Sequence, residues 1–280
     1  MNIPEYFHIG VMKTGTTYLQ EILSQDDRIQ LFNHSRIINT NAYYSRTYGQ
    51  FDSVKKRIES DENIVDTKGS MCGLYTSLQR IKMHRPDAII ALTIRDQKKL
   101  LISGYKHTIR QTDQVFCFEE FLNSSYGMNY LNSTDYYAVV KMIESHFSKD
   151  QIRIIPYELI KQKHFISQFY KEVFQLEAPN IGLKKVVNKG LSDRLIGLKR
   201  VMNKGLVFNT NSIIGKLERK AHSAILKSLN SFSARQTKKS IHWPSDNELC
   251  QSLEEQFKSS NSNLESEYNL GLKELGYPFN

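Results

Sequence analysis

Strand and helix signals alternate along the first 175 residues and then give way to helix alone. This predicts an α/β fold, with a central, mainly parallel sheet, helices on both faces and a helical C-terminal region. Three observations carry the prediction. An apolar run at the N-terminus meets a helical pattern through a Gly-containing turn. The run from Ala88 to Ile94 is apolar on both of its faces, as a strand covered on two sides must be. No strand pattern follows residue 180.

Taken in order, Glu5 to Met12 is the first predicted strand, and Leu19, Ile22 and Leu23 give Thr16 to Ser24 a helical stripe. Asn63 to Asp66, Ala88 to Ile94 and Gln151 to Tyr157 supply three more strands, with helical patterns at 71–84, 97–110, 135–148 and 158–174. Segments 192–206, 213–231 and 245–275 repeat apolar residues at i, i+3 and i+4, for example Leu195, Leu198, Val201 and Met202. The 280 residues are therefore read as a single domain over 1–280, with an α/β core at 1–178 and a helical region at 179–280.

Composition narrows the class. With 40% hydrophobic and 24% charged residues and only 14 Gly and 6 Pro, the chain is neither collagenous, low-complexity nor largely disordered. Its longest apolar run, Ala88 to Leu92, falls far short of the roughly 20 residues of a membrane span. Residues 1–8 lack the charged and apolar regions of a signal peptide, so the mature chain is expected to start there. Cys72, Cys117 and Cys250 are far apart and outside any CxxC pair, which fits a reducing cytoplasm better than a disulfide framework or a zinc knuckle.

The net charge of +9 is unevenly placed. Residues 181–240 carry 14 Lys and Arg against Asp193 and Glu218, a net +12, which leaves −3 for the rest. Such a field concentrates anions. Three readings stay open: lining for an acidic glycan acceptor, peripheral docking to an anionic membrane holding a glycolipid acceptor, or a solvated helical face. No nucleic-acid-reading motif is present.

The first turn reads Gly10-Val11-Met12-Lys13-Thr14-Gly15-Thr16-Thr17. It can be laid on the phosphate-loop pattern GxxxxGK[ST], except that Thr16 stands at the lysine position and the lysine has moved to 13. Backbone N–H groups and a helix N-terminus can still cradle an anion, with Lys13, Thr14, Gly15, Thr16 and Thr17 around it. Without a lysine reaching β- and γ-phosphates, a shorter phosphate-bearing group suits the loop better than ATP or GTP. The plainer alternative is a strand-to-helix turn capped by a threonine.

A second anion site is expected where the most apolar strand ends in Ile94-Arg95-Asp96, with Ser103 eight residues beyond the arginine. Ligands of parallel α/β sheets bind beyond the carboxyl ends of the strands, which puts Arg95 on the same edge as the loop. A guanidinium and a helical hydroxyl can hold a phosphate by charge-assisted hydrogen bonds. The alternative is a surface pairing of Arg95 with Asp96 and an exposed Ser103.

Together the two motifs resemble the sulfotransferases that use 3′-phosphoadenosine 5′-phosphosulfate (PAPS). The stretch Ile9 to Leu19 is similar to their 5′-phosphosulfate loop, and Arg95 with Ser103 to their 3′-phosphate motif. Bacterial members are also similar at Phe118-Glu119-Glu120-Phe121-Leu122, at Ile155-Pro156-Tyr157-Glu158-Leu159, and from Ser260-Asn261 to Leu275-Gly276-Tyr277-Pro278. The likeness is dense over 3–175, weak over 180–240 and resumes in the last 25 residues.

The resemblance implies a P-loop-like sulfotransferase fold and sulfuryl transfer from PAPS to a hydroxyl or amine of a carbohydrate, glycolipid or small metabolite, releasing PAP with no metal required. It implies that Lys13 binds the phosphosulfate and stabilises charge on the bridging oxygen, that Thr14 to Thr17 hold the 5′-phosphate and sulfate, and that Arg95, Ser103 and Lys189 serve the 3′-phosphate side. Relatives supply a histidine or glutamate as general base. Here Asn33-His34-Ser35-Arg36 and Asp66-Thr67-Lys68-Gly69-Ser70 replace the common placements, making His34 and Asp66 the candidates, with His107 third. Asp66 to Gly69 also fits the DxxG of GTPases, so a nucleotide-dependent kinase or GTPase is one alternative. A non-catalytic PAP- or polyanion-binding protein is the other.

Overall fold

The apolar run at 88–94 becomes the inner strand β4 (Ile89–Ile94), in a sheet that is parallel throughout. The computed structural model describes residues 4–33, 52–61, 71–162, 164–180, 192–205 and 241–280. Five strands stand in the order β2-β3-β1-β4-β5, with β1 at Tyr6–His8, β2 at Ile29–Asn33, β3 at Lys56–Ser60 and β5 at Ile152–Pro156.

Side-chain alternation decides what each face of the sheet meets. Phe7, Ile90, Leu92 and Ile154 enter the larger core. Against them pack helices α2 (Met71–His84), α3 (Gln97–Gln111), α4 (Phe118–Leu122), α5 (Ser125–Leu131) and α6 (Tyr136–Glu144). Ile58, Ala91 and Ile155 face the opposite way, toward α1 (Thr16–Gln25) and α7 (Phe165–Phe169), which runs on into a π turn over Tyr170–Phe174. Each large side chain buried this way contributes about 1.5–3 kcal/mol.

Three strands differ from expectation for physical reasons. The first is shorter than Glu5 to Met12: β1 ends at His8, although Ile9 N and Val11 N still donate to Ala91 O (2.9 Å) and Thr93 O (3.2 Å) of β4. The chain thus follows one neighbour outward before curling. Strand β2 is absent from the sequence pattern because it is a five-residue edge strand, with Ile29 and Leu31 on one face and only Phe32 packed on the other. Strand β3 reads Lys-Arg-Ile-Glu-Ser and owes its conformation to the ladders on both sides, not to its own pattern. The strand expected at 63–66 lies outside the described residues, as does the helix expected at 213–231.

Beyond residue 180 the described elements are helical, α8 (Asp193–Gly205) and α9 (Glu248–Tyr268). Helix α9 is bound to the core through a buried amide pair: Gln97 Nε2 donates to Asn261 Oδ1 at 2.7 Å, and Asn261 Nδ2 donates to Pro278 O at 2.7 Å and to Gln97 Oε1 at 3.2 Å. Ser260 Oγ donates to Asp135 Oδ1 and accepts from Tyr137 N. The closing sequence similarity at Ser260-Asn261 and Tyr277-Pro278 therefore serves packing, holding the base of α3 in place.

From β1 the chain crosses toward the β3 and β2 edge, whereas from β4 it crosses toward β5. The crevice between the carboxyl ends of β1 and β4 is the topological switch point, where open α/β sheets bind ligands.

Candidate active site

The loop after β1 opens into this crevice and is held from both sides. Lys13 adopts φ 67° and Gly15 φ 81°, two left-handed residues flanking Thr14. For a lysine that conformation costs about 1–2 kcal/mol, so the surroundings impose it. Gly15 is the N-cap of α1, with no side-chain cap hydrogen bond, so the threonine-capped turn is not what forms. A Cβ on Gly15 would lie 2.6 Å from the Tyr157 ring. Gly10 is required for a different reason than cradling an anion: its Cβ would lie 2.2 Å from Thr93 Oγ1 and 2.8 Å from His8 Nε2.

Arg95 follows β4 and reaches back to the loop. Its Nη1 donates to Lys13 O at 2.7 Å, and its guanidinium lies 5.0 Å from the centre of the Tyr157 ring. Tyr136, fully buried, donates to Arg95 O and accepts from Arg95 N, fixing the backbone from which the side chain springs. Asp96 does not pair with Arg95. It is buried, accepts from Lys99 N as the cap of α3, and pairs with Lys99 Nζ.

Helix α3 completes the wall. Ser103, His107 and Arg110 recur at i, i+4 and i+7 on one stripe. Lys13 Nζ donates to His107 Nδ1 at 3.0 Å, and Arg110 Nη2 approaches the same nitrogen at 3.4 Å. Burial first, then Lys13 and Arg110, holds the His107 imidazole down at about 4. Its Nδ1 lone pair faces two cations and is poorly suited to accept a proton from an acceptor hydroxyl.

Lys13, Arg95 and Arg110 thus gather three cations at the switch point, two of them on the neutral His107. Among the described residues no carboxylate makes an ion pair with Arg95 or Arg110. Both guanidiniums leave a buried Nε without a hydrogen-bond partner. Buried donors of this kind are costly unless something accepts from them, and an anionic ligand is the acceptor such a donor set fits.

Beneath the loop lies a histidine that pattern reading passed over as a strand residue. His8 is fully buried, with Nδ1 2.8 Å from Ser60 Oγ and Nε2 3.0 Å from Thr93 Oγ1. Burial pulls it down to about 3 from the ordinary 6.5. The unfolded chain takes up this proton near pH 6.5 and the folded chain only near pH 3, so stability falls as pH drops through that window. This group contributes about 1.4 kcal/mol per pH unit. Urea unfolding between pH 7 and 4 is expected to show a pH dependence about 1.4 kcal/mol per unit steeper in the wild type than in His8→Gln, which keeps the part that His107 contributes; identical slopes would refute a neutral buried imidazole.

Of the residues singled out in the sequence, the structure brings Lys13, Thr14, Gly15, Thr16, Thr17, Arg95 and His107 to one sheet edge, with Ser103 half-buried on the α3 stripe. Thr14 and Thr16 are buried and Thr17 is exposed. His34, Asp66 and Lys189 lie outside the described residues. Arg110 was missed, although its spacing from Ser103 and His107 was the signal that could have found it. In the basic segment the described part is α8, where Lys199 is buried, Arg200 Nε donates to Val115 O, and Arg194 and Lys204 are exposed.

A family model described as "Sulfotransferase domain" matches residues 4–167, more than half the chain and all of the sheet with its crevice. The chain belongs to the sulfotransferase-domain family. Its fold is that of a sulfotransferase from Alicyclobacillus acidocaldarius, with a TM-score of 0.52 and 15% identity over 85% of this chain and 98% of that one. A sulfotransferase domain from the curacin biosynthetic pathway aligns over 91% of this chain and 98% of its own at 11% identity, with a TM-score of 0.44, too low to add to the argument. Comparison with curated proteins finds no match. Membership makes this an enzyme of sulfuryl transfer and sets aside the kinase or GTPase alternative. No described helix of this sulfotransferase is long and apolar enough to cross a membrane.

Proposed function

We propose that this sulfotransferase moves a sulfuryl group from PAPS to a hydroxyl, or an amine, of a carbohydrate, glycolipid or small-metabolite acceptor in the cytoplasm, and releases PAP. The observation that carries the donor assignment is the bond from Arg95 Nη1 to Lys13 O, which joins the two cationic motifs at the switch point, with the buried Arg95 Nε still lacking an acceptor. One side chain serves the phosphosulfate end, the other the 3′-phosphate end.

In this reading Thr14 to Thr17 bind the 5′-phosphate and sulfate at the N-terminus of α1, Thr14 through its backbone N–H because its hydroxyl donates to Val11 O. Lys13 presents its ammonium to negative charge that develops as the sulfuryl group leaves. Arg95 and Ser103 bind the 3′-phosphate, Tyr157 supports the guanidinium, and Lys189 adds a cation. The donor brings the activated sulfuryl group; the chain positions it. His34 and Asp66 remain the proposed bases, since the Nδ1 lone pair of His107 is taken up by Lys13, with Arg110 beside it. Residues 1–280 act as one domain, consistent with the Gln97 and Asn261 pair that ties the C-terminal helix to the core. The basic stretch at 181–240 is proposed to face the acceptor or an anionic surface holding it.

Calorimetry with PAP in the presence of EDTA is the first test, followed by PAPS with a panel of glycans, glycolipids, phenols and steroids while PAP release is monitored. Binding without metal and turnover with one acceptor class are expected. No PAP affinity together with no turnover across the panel would end this reading.

A further inference from the structure

The orphan feature of the core is the set of polar side chains on the α1 face of the sheet, where apolar residues are the rule. His8, Ser60 and Thr93 are all fully buried there, on three adjacent strands. The parallel register sets His8 beside Ser60 on one side and opposite Ala91 on the other, two residues before Thr93. Gln20 of α1 reaches in from above, and Phe169 closes over the imidazole edge-on with ring centroids 5.4 Å apart.

The direction of every bond in this set follows from one end. Thr14 Oγ1 is 2.5 Å from Val11 O, a carbonyl that can only accept, so the Thr14 hydroxyl proton is committed there. Thr14 Oγ1 must then accept from the Thr93 hydroxyl, 2.8 Å away. With its own proton so used, Thr93 Oγ1 accepts from His8 Nε2, which is therefore the protonated nitrogen. His8 Nδ1 is left as an acceptor for Ser60 Oγ–H at 2.8 Å, and Ser60 Oγ accepts from Gln20 Nε2 at 3.1 Å. The chain runs one way from Gln20 through Ser60, His8, Thr93 and Thr14 to Val11 O. It crosses β3, β1 and β4 and ends inside the loop, and Gly10 is the residue whose missing Cβ lets it pass.

We propose that His8, as the neutral Nε2–H tautomer, is a positioning residue that sets the shape of the 10–15 loop for the donor's phosphosulfate through Thr93 and Thr14. The proposal rests on the donor reading above. A phosphate-binding loop needs its N–H groups pre-aimed, and Thr14 lies between two left-handed residues where the backbone is least able to hold itself. An imidazole passes a hydrogen bond from one strand to the next across the sheet, which a hydroxyl at position 8 is too short to do. It also needs no charge for this, which suits a dry site.

Thr93→Val and Thr93→Ser separate positioning from packing. Valine keeps the branched shape and loses the hydroxyl; serine keeps the hydroxyl and loses a methyl. PAP affinity by calorimetry is expected to fall about tenfold in Thr93→Val and to stay within about twofold of wild type in Thr93→Ser, in line with one hydrogen bond plus a stranded donor. The KM for PAPS should rise with it while kcat changes less. Nitrogen NMR of the His8 ring, which needs no ligand, should show a protonated Nε2 and a bare Nδ1, and amide exchange at residues 11–16 should quicken in Thr93→Val. Equal PAP affinity in the valine variant and wild type, or a proton on Nδ1, overturns the positioning role and leaves the donor reading standing. Wild-type protein that binds no PAP sinks the donor reading instead; the ring tautomer and loop exchange then decide on their own whether His8 shapes the loop, unchanged exchange counting against it.

Discussion

Lys13→Ala is expected to lower transfer from PAPS by about 100- to 1,000-fold, the usual cost of removing one group aimed at developing charge, while PAP stays bound. The structure explains why the two properties part. Lys13 contributes its carbonyl to Arg95 through the backbone, and that bond survives truncation of the side chain. What is lost is the ammonium now resting on His107 Nδ1. Alanine is a better probe than glycine because it keeps the strained φ of 67° and so changes only the side chain. Single-turnover rates with saturating PAPS, beside PAP calorimetry, check the outcome. A fall in PAP affinity as large as the fall in rate would mean that Lys13 builds the pocket and does not act on the reacting group.

The second large effect is on binding. Arg95→Ala should weaken PAP by about 10- to 100-fold, as expected when a charge-assisted contact is removed. Arg95→Lys should recover only part, since a lysine keeps the charge but cannot both stack on Tyr157 and reach Lys13 O. Because Arg95 also holds the Lys13 backbone, transfer will drop in Arg95→Ala too, and the double variant with Lys13→Ala should lose less than the two single losses combined. Full additivity, or equal loss of rate and affinity in both single variants, would contradict the division of labour between them.

The legible parts of this protein were those whose signal lies within one element. The run at 88–94 announced an inner parallel strand because burial on both faces leaves no room for polar residues, apart from Thr93. The Gly10 to Thr17 turn was legible as a strand-to-helix loop carrying a lysine because its residue types and their spacing lie within eight positions. Arg95 with Ser103 could be placed on the same edge because strand and helix order fix which end of the sheet they occupy. The polar strand β3 and the edge strand β2 were illegible for the opposite reason: their conformation comes from neighbours far away in sequence.

Sequence alone therefore determined the fold class, the place of the strand-to-helix loop and the family, since each rests on residue identities and patterns within single elements. Tertiary structure alone decided that Gly10 makes room for His8 and Thr93, that Arg95 binds the Lys13 backbone and not Asp96, and that His107 meets Lys13. These contacts join residues 82 to 94 positions apart, or depend on a missing Cβ, and only the folded parallel sheet brings such partners within hydrogen-bond reach.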